Sequence, residues 1–283
     1  MNELIKLFFI GHLPVTAYAL CVALGALLGT LVTVKLLSRR IGLNGSLSLC
    51  LAVIPCALLG ARLFYTLTNF SYIQIDLSYD MGAFLWQLWE GGYTLYGGIL
   101  GGMAAVWLYA RVTGKQAGEL LNLTAPGAAL ALMVIRLGEY FTGQGLGKMV
   151  NMESLQFFPL AVPDLWEDWV MPVFFYEALA AGIVAVIAWQ LVRKEGHAAE
   201  VFIVLVSLTQ ILFESWRMDE FIRFGFVRFN QIVSAVLMAA VLAMRIARAE
   251  KKRGWQIVRV ILFLACMGAS VLAGPSSTRR VKG

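Results

Sequence analysis

LLNLTAPGAALALMVI (Leu120–Ile135) runs without a break into RLGEYFTGQGLG (Arg136–Gly147). The first sixteen residues carry no charge; the next twelve bring an arginine, a glutamate and four glycines. A charge-free run of this kind reads as most of a membrane-crossing helix, which needs about 20 apolar residues. Ionisable side chains at membrane depth are costly, so Arg136 and Glu139 at the end of that run mark a polar site. On a helix Arg136 shares a face with Glu139 and Tyr140, three and four residues on. Gly138, Gly143, Gly145 and Gly147 predict that the helix then breaks into a loop with exposed N–H groups. Such backbone is tolerated at membrane depth where it is buried in protein or lines a cavity. The plainer alternative is a purely structural Arg–Glu pair.

The rest of the chain agrees with the membrane reading. Hydrophobic residues make up 60% of the 283 and charged ones 14%, which excludes an ordinary soluble domain. Leu13–Val34 is charge-free for 22 residues. It is too long for the apolar core of a cleaved leader and is read as an anchored first helix. Spans are expected near residues 13–35, 46–67, 93–111, 118–137, 170–192, 200–217 and 229–247, with an eighth apolar run at 256–273. The four cysteines, Cys21, Cys50, Cys56 and Cys266, lie inside apolar runs without metal-ligand spacing and read as packing residues.

Charge alternates between the loops. Lys35, Arg39 and Arg40, then Arg111 and Lys115, then Arg193 and Lys194, then Arg245, Arg248, Lys251, Lys252 and Arg253 follow alternate spans. The intervening loops carry Asp76, Asp80 and Glu90, and Glu153, Asp164, Glu167 and Asp168 against Lys148 alone. The positive-inside rule then places the N-terminus outside and the basic loops in the cytoplasm. The expected fold is an all-α, polytopic membrane domain spanning residues 1–283, with seven crossings and the C-terminal run as an eighth. That run would export Arg279, Arg280 and Lys282, which the same rule disfavours.

Arg62, Arg136, Arg217, Arg223 and Arg228 are the arginines left at the outer ends of their spans. Snorkelling to headgroups is one reading for Arg62, Arg223 and Arg228. Guanidinium groups also suit bidentate contact with phosphate, so an anionic phospholipid headgroup is the candidate partner. In WEGGYTLYGGILGG (residues 89–102), Gly97 and Gly101, like Gly98 and Gly102, are four apart, the spacing of close helix packing. The alternative is that Gly97 and Gly98 make room for a ligand beside Tyr96. FESWRMDEFIRFGFVRFN (residues 213–230) reads as an interfacial, lid-like element or an aromatic belt.

Taken in order, VTAYALCVALGALLG, GARLFY, GGYTLYGGILGG, the Ala125–Pro126 pair, RLGEYFTGQGLG, MPVFFYEALAAG and FESWRMDEF resemble the prolipoprotein diacylglyceryl transferase family of bacterial cytoplasmic membranes. The resemblance covers most of the chain. It implies seven spans with an external N-terminus and a site toward the outer leaflet. It also implies transfer of diacylglyceryl from phosphatidylglycerol to the lipobox cysteine of a preprolipoprotein, with no metal or organic cofactor and no nucleic acid. Arg136 and Gly147 fall on the arginine and closing glycine of the family signature, and Arg217 on the arginine of a later segment. Tyr18 matches an early tyrosine and Glu177 a Tyr-Glu pair.

The chain departs from the pattern at four positions. Tyr96 stands where the family has a histidine, Glu139 where it has an asparagine, and Thr142 and Gln144 where it has an asparagine and a glutamate. By resemblance Arg136 and Arg217 bind phosphate. At the departing positions Tyr96 and Glu139 are candidate proton handlers, Glu139 partly replacing the histidine or Tyr96 only hydrogen-bonding the lipid. Tyr18, Arg62, Gly97, Gly98, Gln144, Gly147 and Glu177 are the candidate substrate-binding residues. His12 and His197 fall in an external segment and a cytoplasmic loop. Two other readings stand beside this one: a paralogue that binds anionic phospholipid without this chemistry, and a small transporter of anionic solutes.

Overall fold

The computed structural model describes residues 6–10, 13–70, 73, 81–86, 91–164, 166–194, 196–219, 223–224 and 227–248. The eighth apolar run at 256–273, the acidic residues Asp76, Asp80 and Glu90, and His12 lie outside them. The architecture is helical: α1 (Ala17–Thr68), α2 (Met81–Trp86), α3 (Leu95–Thr113), α4 (Ala117–Gly138), α5 (Val173–Arg193), α6 (Ala198–Glu214) and α7 (Phe229–Arg248). α1, α3, α5 and the stretch from Ala117 to Thr142 are long and apolar enough to cross a hydrocarbon core.

Among the described residues, three antiparallel two-stranded ribbons qualify the all-α expectation: β1 (Lys6–Ile10) with β2 (Leu13–Thr16), β3 (Val162–Pro163) with β4 (Trp169–Val170), and β5 (Arg223–Phe224) with β6 (Val227–Arg228). Residues 13–16, expected in the first span, are therefore strand. Pro14 lacks an amide donor and Val15 and Thr16 are β-branched. The Thr16 hydroxyl then accepts the Ala19 N–H at 3.1 Å and caps α1.

The first two predicted spans form one 52-residue helical element broken at Gly42, whose φ of 74° and ψ of 169° leave the helical region. The neighbours of each half show that the chain reverses there. In the first half Gly25 packs on Ala131 and Gly29 on Gly127, so it runs antiparallel to α4. In the second, Gly45 sits beside Tyr109 and Gly60 on Gly97 and Gly101, antiparallel to α3. α3 and α4 are joined only by residues 114–116, through a left-handed Gly114, and so run opposite ways.

The packing is that of a membrane bundle. The first half of α1 buries Gly25, Gly29, Thr33 and Leu37, four apart, and exposes Leu20, Leu24, Leu27 and Leu31. Small residues inside let backbones approach; leucines outside meet lipid. At one end Leu37, Leu49, Val106, Ala110 and Leu120 form a buried cluster, and Lys35, Arg39, Arg40, Arg111 and Lys115 gather near it in the chain. α5 runs back alongside α4, from Phe174 against Gly145 to Gly182 against Met133. Beyond α5, the Ala199 N–H reaches Asn122 Oδ1 at 2.9 Å, so Arg193 and Lys194 share this basic end. The start of α1 and the C-terminal end of α4 define the opposite end, where the polar site lies.

The described residues of Met1–Phe202 and Trp216–Asp219 form one compact unit; those of Ile203–Ser215 and Glu220–Gly283 form a second. Within the second, the fully buried Glu214 accepts from Gln210 Nε2 at 2.9 Å and Asn230 Nδ2 at 3.2 Å, and lies 3.5 Å from Arg228 Nη1. The described residues of 213–230, read as an interfacial lid or an aromatic belt, include the end of α6, the β5–β6 ribbon and the start of α7.

Candidate functional site

α4 ends as its glycines predict. A 3-10 turn, Glu139–Thr142, follows it, and Gly143 and Gly145 take φ of 67° and 70°, a left-handed region that favours glycine. Glu139, still at helical φ and ψ, lies one turn on from Arg136 and pairs with it before the chain breaks. Two more elements bring charges to the same place: the first turns of α5 carry Glu177, and Trp216–Asp219 carries Arg217.

The result is a buried network. Arg136 Nη1 bonds Glu139 Oε1 and lies 3.2 Å from Glu177 Oε2. Arg217 donates from Nη1 to Glu177 Oε2 at 2.8 Å, from Nη2 to Glu139 Oε2 at 3.1 Å and from Nε to Asp219 Oδ2 at 2.7 Å. Arg136, Glu139, Glu177 and Arg217 are all 7% exposed or less. In so dry a place each charge needs its partners, because desolvation alone costs several kcal/mol per ion. Half-buried Tyr18 stands within electrostatic reach of Glu139, Arg136 and Arg217.

Asp219 is the member that sequence reading missed. Its carboxylate also accepts the Gly145 N–H, at 3.1 and 3.2 Å, and so ties Arg217 to the glycine loop. The signal was present in SWRMDEF, an acid two residues from an assigned arginine. Nothing in one sequence, however, shows which nearby acid turns inward.

The remaining candidates fall into distinct places. Gly147 closes the loop, its N–H bonded to Met171 O at 2.8 Å, and a Cβ there would meet Val173 Cγ2 at 2.8 Å. Gln144 is exposed. Tyr96 is buried in the first turn of α3. Gly97 serves helix packing, since a Cβ there would lie 2.3 Å from Gly60 O; at Gly98 the nearest atoms are 3.7 Å away. Arg62 stands apart from the network. Fully buried, it donates to Phe84 O at 2.7 Å and Gly92 O at 3.3 Å and stacks over the Phe84 ring at 3.8 Å. Arg62, Arg136 and Arg217 thus find protein partners, and the structural Arg136–Glu139 pairing that the sequence offered beside a headgroup contact is present. Among the described residues no group of three or more His, Cys, Asp or Glu has the arrangement of a metal site.

Gly145 permits a sharp test. A Cβ there would lie 2.8 Å from both Glu139 Oε2 and Phe174 Cβ, on a backbone with positive φ. Gly145→Ala is expected to cost about 1–3 kcal/mol through backbone strain while the helices persist. Circular dichroism of the purified variant, followed through thermal unfolding, checks both halves of that result.

Fold and site together define a polytopic helical membrane protein with a buried arginine–carboxylate cluster at one end of its bundle. Residues 6–247 match the family model described as prolipoprotein diacylglyceryl transferase. A phosphatidylglycerol–prolipoprotein diacylglyceryl transferase of Streptococcus pneumoniae serotype 4 is 28% identical over 88% of this chain and 95% of its own. One from Streptococcus pneumoniae strain Hungary19A-6 is 27% identical over the same shares. The chain belongs to the prolipoprotein diacylglyceryl transferase family.

Proposed function

We propose that this protein transfers diacylglyceryl from phosphatidylglycerol to the lipobox cysteine of a preprolipoprotein in the bacterial cytoplasmic membrane. The observation that carries the site assignment is the convergence of Arg136 and Arg217, from distant parts of the chain, on shared carboxylates in a buried network. In the reaction the cysteine sulfur bonds to the glyceryl carbon, the carbon–oxygen bond to phosphate breaks, and glycerol phosphate leaves. The leaving phosphate gains charge as that bond breaks, and paired guanidiniums stabilise it most effectively where water is excluded.

The thiol must also lose its proton, from a reference pKa near 8.5. Glu139 and Tyr96 are the residues assigned to that task. Glu139 is the stronger candidate, since tyrosine, with a reference pKa near 10, is a weak base at neutral pH. Tyr18, Glu177 and Gly147 are the residues assigned to substrate binding. Alternating loop charge supports seven crossings with an external N-terminus, which puts the cluster at the outer leaflet.

Complementation tests the reading. In cells depleted of their own transferase, this chain should restore thioether formation on a reporter lipoprotein, and Arg136→Ala should not. A chain that binds phosphatidylglycerol but never lipidates the reporter would instead be an accessory lipid-binding paralogue.

A further inference from the structure

Glu139 holds the two arginines as an anionic ligand would. One carboxylate oxygen takes Arg136 and the other takes Arg217, the latter at 3.1 Å. Glu177 Oε2 lies within reach of both arginines, and Asp219 takes Arg217 Nε and the Gly145 N–H. Glu139 spends a separate oxygen on each guanidinium. A phosphodiester offers the same thing, two non-bridging oxygens sharing one delocalised charge. Among these five side chains two guanidiniums face three carboxylates, so the cluster holds one formal negative charge in excess. A second anion cannot join it on favourable terms while Glu139 stays in place.

We propose that Glu139 is a built-in competitor for phosphate, seated where the phosphate of the phospholipid headgroup binds and displaced when the lipid enters. The proposal rests on the assignment of Arg136 and Arg217 to phosphate. Its consequence is a weakened apparent affinity, because only the fraction of molecules with Glu139 swung away can take lipid. Displacement also strips Glu139 of its arginine partners at the moment the headgroup arrives, leaving a carboxylate free to accept a proton beside the bound lipid.

The test is binding, read by native mass spectrometry of the full chain in detergent, with dioleoylphosphatidylglycerol as probe and dioleoylglycerol, which lacks the phosphate, as its control. Glu139→Gln should bind phosphatidylglycerol at least about tenfold more tightly than the unaltered chain and leave diacylglycerol binding unchanged. Glu139→Asn serves the same purpose if the glutamine variant elutes aggregated. Asp219→Asn removes the same unit of charge without touching the bridge, and its gain should stay below about threefold. Equal gains in the Glu139 and Asp219 variants would reduce the effect to overall charge and overturn the proposal, as would an equal gain for diacylglycerol. No gain at Glu139, with the unaltered chain binding normally, overturns it and leaves the transferase reading intact. Failure of every form to bind phosphatidylglycerol overturns both.

Discussion

Arg217→Ala is expected to abolish lipid transfer and to destabilise the protein at once. Arg217 is shared by Glu139, Glu177 and Asp219, so its removal takes an ion-pair partner from all three and leaves the buried Glu139 and Glu177 to share Arg136. Breaking a buried ion pair from one side costs about 3–5 kcal/mol. A lost donor to the developing phosphate charge is worth a further factor of about 100 or more in rate. Transfer to a lipobox peptide in detergent, with thermal unfolding of the same preparation, separates the two effects. Arg217→Lys should recover part of the stability but little of the rate, because an ammonium cannot serve three partners in the fixed planar fork that a guanidinium offers. A lysine variant with unimpaired turnover would remove Arg217 from the chemistry.

The second large effect is expected far from the charges, at the paired glycines of α3. Gly97→Ala should lower folded yield and transfer together, because its methyl would sit 2.3 Å from Gly60 O and 2.6 Å from Phe64 Cβ, against backbone that has nowhere to retreat. Over-packing of this kind costs about 1–3 kcal/mol or more. Gly98→Ala, one residue on, meets nothing nearer than 3.7 Å and should leave yield close to that of the parent. Size-exclusion profiles and unfolding temperatures of the two variants decide it. Were Gly98→Ala to lose transfer with its stability intact, the ligand-room reading of the double glycine would return at that position.

The helices themselves were legible from composition, because bilayer hydrocarbon imposes a simple rule on run length and charge. α3, α4 and α5 fall within three residues of the expected spans. The break after Arg136 was legible too, since four glycines in twelve residues cannot sustain a helix. Less so was the entry to α1, where Pro14, Val15 and Thr16 extend a ribbon that hydropathy alone assigns to the helix. Local hydropathy averages over such residues and registers neither a missing amide donor nor a cap.

The sequence by itself determined that the chain lives in a membrane, which of its ends carries charge, and that Arg136, Glu139, Glu177 and Arg217 do not belong in hydrocarbon alone. Tertiary structure decided what those charges do with one another. Residues 41 and 78 positions from Arg136 and Glu139 meet them in one cluster, Asp219 joins it, and Arg62 is drawn off to a separate set of carbonyls. The reason is physical. Burial forces every charge to find a partner, but the partner is chosen by which helices the glycine seams bring together, and no single stretch of sequence records that.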